Sequence, residues 1–487
     1  EVPLPPTSPD GGANAAPSIS VMARKPGYQS DPFASAVLAQ FQSDAPELTI
    51  LLTPEAILMG HVNLSPSESA DGVPVQLFHR QVSEGTARWV AQNVNVTDSQ
   101  GDFRFADLSA GDYRLGTREA GDRDPQDVAP GGKMFSYPPV YFPGASDFSS
   151  AATIHLTPGK VFEAPISLSK QPYFPVKISL SAPANVAQVN VNVSLQGDEA
   201  PGYSLGYNPA DQTIRGSLPN GTYVVEASTF SPTATGGTMT LRVANGAAET
   251  GQITMLTPPS IEVRVREEFT ATQEQGAVTV THIHGMPSRH GHQYLQVTLE
   301  PISDFTQRAA RSLRPPRTAN DESLAIDDVP PGRYWVRVSS ARGYAASVTS
   351  GNIDLIHAPL VVGPVGSTSP IEITMRDDMA SFDASVEGIS PNPSASGTTA
   401  YVYWIPLPDS EGQFAQVWAG VEGKLNSQIV PGTYRVLAFD HPKNDLEYRN
   451  PDAMRAYESK GQIVQFVAGQ TEHLQLQIIS AANEDAN

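Results

Sequence analysis

A glycine, one variable residue and a tyrosine recur four times along the chain, each time opening an apolar run. The copies read "SAGDYRLGT" around Tyr113, "LPNGTYVVEA" around Tyr223, "PPGRYWVRV" around Tyr334 and "VPGTYRVLAF" around Tyr434. The tyrosines lie 110, 111 and 100 residues apart (223−113, 334−223, 434−334). That spacing is the size of one small β-sandwich. It constrains the chain to a row of similar β modules before any local signal is weighed.

Composition agrees. Of 487 residues, 39 are Gly and 43 Pro, and only 17% are charged, a turn-rich and charge-poor balance that suits strands and tight turns. The expected fold is all-β: four tandem Ig-like or transthyretin-like antiparallel β-sandwiches behind an N-terminal arm. The arm is 1–45, rich in Pro, Gly and Ser, either a disordered leader or an ordered arm on a neighbouring module. Within it, "DPFASAVLAQF" (31–41) carries the capping signals of a short helix. The sandwiches are expected at 46–170, 171–257, 258–376 and 377–487. In the last, "EYRNPDAMRAYESKG" (447–461) predicts a helix of about two turns, with Asn450 as cap and Pro451 in the first turn. The residues after 480 are expected to fray. Short joins at 168–174, 256–262 and 374–382 predict a semi-rigid rod.

The net charge of −20 disfavours nucleic acid and anionic membranes as partners. No apolar run approaches the roughly 18 residues needed for a membrane span. With no cysteine, thiol catalysis, thiolate metal sites and disulfides are excluded. The sequence starts at Glu1, which reads as an exported protein whose signal peptide has been removed, placing it outside the cell or on its surface.

The first module holds a longer pattern, "VTDSQGDFRFADLSAGDYRL", with "MGHVNLS" and "GVPVQLF" before it. Gly101 supplies the positive φ of a hairpin turn, and Phe103 and Phe105 enter the core. Gly111 permits a second turn, and Tyr113 starts the next strand as a tyrosine corner, with Tyr223, Tyr334 and Tyr434 as its counterparts. Over residues 97–115 this pattern resembles the carboxypeptidase-regulatory-like domain, a seven-stranded sandwich related to transthyretin-like and starch-binding-like folds. Residues 137–159 and 446–479 resemble segments of secreted proteins of environmental Gram-negative bacteria, acidobacteria notably, that string such modules together. The resemblance implies a scaffold; it brings no peptidase domain with it.

Two constellations offer chemistry. In "THIHGMPSRHGHQ" (281–293), His282 and His284 share a strand face, as do His290 and His292. A hairpin tip at 285–289 would converge all four on zinc, nickel or copper(II); the alternative is a polar loop with solvated histidines. Tyr137 and Tyr141 in "YPPVYF", and Tyr401, Tyr403 and Trp404 in "YVYW", offer a sugar-stacking platform or, alternatively, ordinary core packing. Acidic loops lack the spacing of a calcium loop. No phosphate loop, nucleophile elbow or zincin helix occurs, so neither an enzyme nor a cofactor is expected. The leading expectation is a non-catalytic secreted structural or adhesive protein, a homo-oligomer or polymer joined through the N-terminal arm. A polysaccharide-binding protein and a metal-binding protein are the alternatives.

Overall fold

The computed structural model describes residues 24–30, 52–64, 68–121, 134–181, 188–229, 235–244, 247–248, 251–270, 295–305, 310–318, 321–363, 369–388, 399–408, 413, 415–421 and 423–479. The fold is all-β, and among the described residues there is one short helical segment. Alternating burial along the strands follows the alternation in sequence: Ala380–Glu387 buries Ala380, Phe382, Ala384 and Val386, and Ile371–Arg376 buries Ile371, Ile373 and Met375.

Four cores form along the chain. They centre on Leu58, Leu77, Phe103 and Leu115 in the first, and on Ile178, Ile214 and Leu241 in the second. Val297, Leu299 and Ile371 centre the third, and Phe382, Trp404 and Phe466 the fourth. Each core contains one of the repeated tyrosines.

The four units share one strand plan. Each opening strand pairs antiparallel with the strand that precedes the Gly-x-Tyr turn: Ala56–Asn63 with Asp102–Leu108, Gln171–Ser181 with Thr213–Leu218, Ile261–Glu268 with Leu324–Ile326, and Ala380–Glu387 with Lys424–Ile429. The tyrosine strands lie in the facing sheet: Gly111–Thr117, Gly221–Thr229, Gly332–Ser340 and Gly432–Phe439 pair with Pro74–Ser83, Asn190–Leu195, Leu295–Pro301 and Thr399–Leu407. Among the named strands the pairing is antiparallel except along the closing strand, which the opening strand takes in parallel in every unit and which in the fourth also meets Gly432–Phe439 in parallel. Val161–Glu163, Gly251–Thr254, Ile371–Arg376 and Thr471–Ile479 are those closing strands. In the fourth unit the ladder runs on through Gln416–Val421, so its strands close into a ring.

This plan explains the repeat. Each Gly-x-Tyr turn carries the chain from one sheet to the other, and the tyrosine ties that crossing down. Its hydroxyl donates to the carbonyl four residues earlier in all four copies: Tyr113 to Ser109 at 2.9 Å, Tyr223 to Pro219 at 3.0 Å, Tyr334 to Pro330 at 2.7 Å and Tyr434 to Val430 at 2.8 Å. Burial pushes the Tyr223 phenol pKa up, which keeps the hydroxyl a donor. Tyr223→Phe is therefore expected to cost about 1–2 kcal/mol by orphaning that carbonyl. Tyr113→Phe should cost less, since the Ser109 hydroxyl stands 3.2 Å from the phenol and can turn to the freed acceptor. Urea denaturation midpoints check this; equal losses at both positions would show that the hydroxyl bond is not the cause.

The "DSQGD" turn differs from the expected hairpin. Gly101 does take a φ of 88°, and Asp98 accepts N–H groups from Gln100 at 2.9 Å and Asp102 at 3.0 Å. Yet Thr86–Val96 and Asp102–Leu108 belong to different sheets, so the turn is an arch between them. The expected helix near the C-terminus is present as Pro451–Met454, continued by a 3₁₀ turn at Arg455–Tyr457, with the Asn450 side chain accepting from Asp452 N at 3.1 Å. The segment expected to form a helix at 31–41 lies outside the described residues.

The expected rod is not what the contacts show. The first sandwich touches the second, the third and the fourth, so the chain folds back on itself. Against the second, Phe148 N–H donates to Asp198 at 2.7 Å, and Ser204 donates to Glu119 at 3.0 Å. Strand Met134–Tyr137 also pairs with the start of Gln171–Ser181, which threads one ladder across the join.

Candidate functional site

The contacts of the first sandwich with the third and fourth converge on one projecting hairpin, Pro74–Ser83 with Thr86–Val96. Its two-residue turn, Glu84-Gly85, has φ values of 49° and 77°, the left-handed pair that matches the twist of a tight hairpin. The turn is plugged into a socket. Arg337 of the third sandwich donates to the Glu84 carboxylate. The Tyr448 ring of the fourth covers Gly85 so closely that a Cβ there would lie 2.6 Å from it. Arg449 N–H donates to Gly85 O at 3.1 Å.

Behind the tip, charges interlock. Arg80 meets Glu447 at 2.6 Å, and that carboxylate raises the guanidinium pKa. Arg88 meets one oxygen of Glu300 at 2.5 Å, while the other accepts from Arg449 at 3.3 Å. The Arg449 side chain is 2% exposed, Glu300 15% and Arg88 17%, so this triad is largely out of water. Trp89 N–H donates to Asp304 O at 2.7 Å, which places a piece of the third sandwich on the hairpin's open edge.

An aromatic cluster underlies the junction. Phe148 meets Phe78 at 4.9 Å, Phe305 at 4.8 Å, Trp89 at 5.5 Å and Tyr141 at 5.5 Å between ring centroids. Ala200 of the second sandwich joins the same cluster. Leu77 and Phe78 are adjacent on one strand and so point to opposite faces, Leu77 into the main core and Phe78 into the junction.

The aromatic platform expected for sugar is corrected by these placements. Tyr137 lies in the first core and Tyr141 in the junction cluster. Trp404 is buried in the fourth core beside Phe382 at 4.5 Å. Tyr403 is buried on the strand's other face, where its hydroxyl accepts from Lys443 N at 2.9 Å, and Tyr401 packs at the rim of that cluster. The strand bearing "YVYW" is covered on both sides, because the 440–461 segment lies over the face that would otherwise be solvated. Stacking needs an open ring face, and the buried Tyr137, Tyr141, Tyr403 and Trp404 do not present one. His282, His284, His290 and His292 lie outside the described residues. Among the described residues no group of three or more His, Asp or Glu side chains is placed to hold a metal ion, and no helix is long and apolar enough to cross a membrane.

A cleft of about 790 Å³ opens between Val94–Val96 and Asp102–Arg104. Its polar groups serve the strand edge. The Asp98 carboxyl is held below the usual carboxylate range by the N–H groups of Asp102 and Gln100, Asn95 donates to Arg104 O at 2.7 Å, and His61 pairs with Asp102 at 2.8 Å. Of these, the Asn95 amide occupies a backbone carbonyl of the neighbouring strand, and the others fix the turn and the strand start.

The junction residues Arg80, Glu84, Arg88, Glu300 and Arg449 carry no sequence motif. In the structure Val75, Gln76, Leu77 and Phe78 are consecutively buried, as in a strand covered on both faces, but Gln76 breaks the apolar run that would have announced this in the sequence.

No protein-family model matches the sequence, and no curated protein matches it. Among solved structures, the chain is similar to the Bacillus anthracis TIE protein at 7% identity and TM-score 0.16, covering 86% of this chain and 73% of that one. It is similar to the major pilin subunit of Bacillus cereus at 9% identity and TM-score 0.13, covering 87% and 99%. Two B repeat units of the Staphylococcus aureus collagen-binding protein match at 10% identity and TM-score 0.14, covering 80% and 94%. TM-scores this low carry no argument about what this chain does.

Proposed function

We propose that this chain is a non-catalytic structural or adhesive protein of the cell surface or extracellular space, acting as a subunit of a fibre or surface assembly. The observation that carries the reading is the interlocked junction. Four sandwiches whose neighbours are fixed by a plugged hairpin, a buried ion triad and a shared aromatic cluster form a stiff body, and stiffness is what a load-bearing or displaying component needs. Tandem sandwiches on loose joins would instead reorient freely. The carboxypeptidase-regulatory-like resemblance of residues 97–115 fits the same reading, since it describes scaffold.

Strand donation by the N-terminal arm has less support. The described part of the arm, Tyr28–Ser30, pairs with the chain's own Leu52–Pro54, and Gln29 donates to the backbone of Asp107. Immunogold labelling of intact producing cells, with negative-stain microscopy of the purified full chain, tests the proposal. Surface label together with filaments or ordered arrays is the expected result. Label confined to the cell interior, with single particles throughout, would refute it.

A further inference from the structure

The contacts divide the four sandwiches into two halves. The first and second are joined by the Met134–Tyr137 ladder and by Phe148 and Glu119. The third and fourth are joined by Arg449, which meets Glu300 at 3.3 Å and lies 5.7 Å from the Trp335 ring, and the connecting residues Asp377 and Asp378 are held by Thr270 at 2.7 and 2.9 Å and by Tyr344 at 3.0 Å. Between the halves, the covalent link is short. Leu256 is still held to Gly236 by paired backbone bonds of 2.9 Å, and Pro259 O already accepts from Val329 of the third sandwich at 3.2 Å. Thr257 and Pro258 are left between these two anchors.

Among the described residues, the noncovalent contacts between the halves gather at the hairpin junction: Arg80–Glu447, Glu84–Arg337, Arg88–Glu300, Trp89–Asp304 and Ser303–Glu199. A tight proline-containing link between two self-sufficient halves, with one closing interface, is the arrangement in which opening leads to exchange. Once the hairpin leaves its socket, Arg449 and Glu300 face water, and a charge-matched replacement is needed to cover them again. An apolar partner would leave the Glu300 oxygen that Arg88 occupies buried without its cation, at a cost of several kcal/mol. The surface complementary to the socket is the Arg80–Arg88 hairpin, and a second copy of this chain carries it.

We propose that this chain associates with a second copy by exchanging halves about Thr257–Pro258, the hairpin of each copy filling the socket of the other. The proposal rests on the assembly-forming reading above, and it names the surface through which copies join. The exchanged interface is chemically the same as the closed one, so the equilibrium between them is set by the link and by concentration.

Two complementary charge-reversal variants test it. One reverses the hairpin, Arg80→Glu with Glu84→Arg. The other reverses the socket, Glu447→Arg with Arg337→Glu. Neither can close on itself without like charges meeting, whereas a mixed pair satisfies both interfaces. Co-produced with separate tags, the two are expected to co-purify in equal amounts at twice the 51.9 kDa chain mass by light scattering, while each alone stays at single mass. A chain carrying all four substitutions restores every pair and is expected to show the parent's own concentration-dependent balance of single and double mass, which shows that the reversed pairs still fit. If that chain closes normally and the mixed variants do not associate, the junction serves only in cis and the proposal is overturned. Surface assembly on cells that persists in this case leaves the assembly reading standing; heteromers formed without surface assembly overturn that reading and not the exchange.

Discussion

Glu300→Ala is expected to destabilise the closed chain by about 3–5 kcal/mol, the range for removing one partner of a buried ion pair. It is also expected to raise the radius of gyration in small-angle scattering. Both effects have one origin. Glu300 bridges Arg88 and Arg449, with distances of 2.5 and 3.3 Å, and Arg449 is almost fully buried. Without the carboxylate two guanidinium groups remain together in a poorly hydrated seam. The Trp335 ring, 5.7 Å from Arg449, offers only a weak alternative partner. Moving the first sandwich off the socket rehydrates both cations, so opening is the way the molecule relieves the change. The Glu84–Arg337 pair gives the internal contrast. Its side chains are 42% and 43% exposed, so Arg337→Ala should cost under about 1 kcal/mol. Replacing the whole triad, with Arg88→Met, Glu300→Leu and Arg449→Met together, should restore most of the stability, because the seam then holds no charge to leave unpaired. Calorimetry orders the three variants. If Glu300→Ala lost no more than Arg337→Ala, the triad would not be what holds the halves.

How much of this was legible in the sequence follows from how far apart the partners lie. The tyrosine corners were legible because each is local: the hydroxyl reaches a carbonyl four residues back, and the glycine, tyrosine and apolar run are contiguous. The helix at Pro451 was legible for the same reason, since Asn450 and Pro451 announce it within one turn. The "DSQGD" turn was half legible. Its internal bonds are set by Asp98 and Gly101, but which sheet receives the next strand is decided by Ala56–Asn63, some forty residues earlier. The junction was not legible. Arg88 and Glu300 are 212 residues apart, and Glu84 and Arg337 are 253 apart, with no period or motif linking them. The aromatic rows left a sugar platform and core packing as open alternatives for a related reason. A row such as "YVYW" shows that two faces differ, and it cannot show that a distant segment, here 440–461, covers the second one.

Phe148→Ala is expected to cost about 3–5 kcal/mol, the range for truncating a buried aromatic ring. Phe148 lies in a loop, where such truncations are usually tolerated, so the prediction rests on what surrounds it. The ring is 3% exposed, and its neighbours Phe78 and Trp89, Ala200, and Phe305 come from the first, second and third sandwiches. Those neighbours sit on strands or are tied to them, so they cannot collapse into the space left behind. The cavity term is then close to its full value. Arg114 adds to it. Its guanidinium lies 4.9 Å from the Phe148 ring, and its Nη1 donates to Phe148 O at 2.7 Å; burial lowers its pKa. With the ring gone, water reaches that cation, which recovers a part of the loss. Phe148→Leu keeps most of the volume and should cost under about 1.5 kcal/mol. The decisive comparison is the double variant with Glu300→Ala. If the cluster and the triad act as one latch, the halves open once for either change, and the second substitution then adds little. Their combined loss should fall short of the sum by more than the roughly 0.5 kcal/mol expected of independent sites. Additive losses would mean that the cluster stabilises the first two sandwiches on its own account, and that the triad alone closes the molecule.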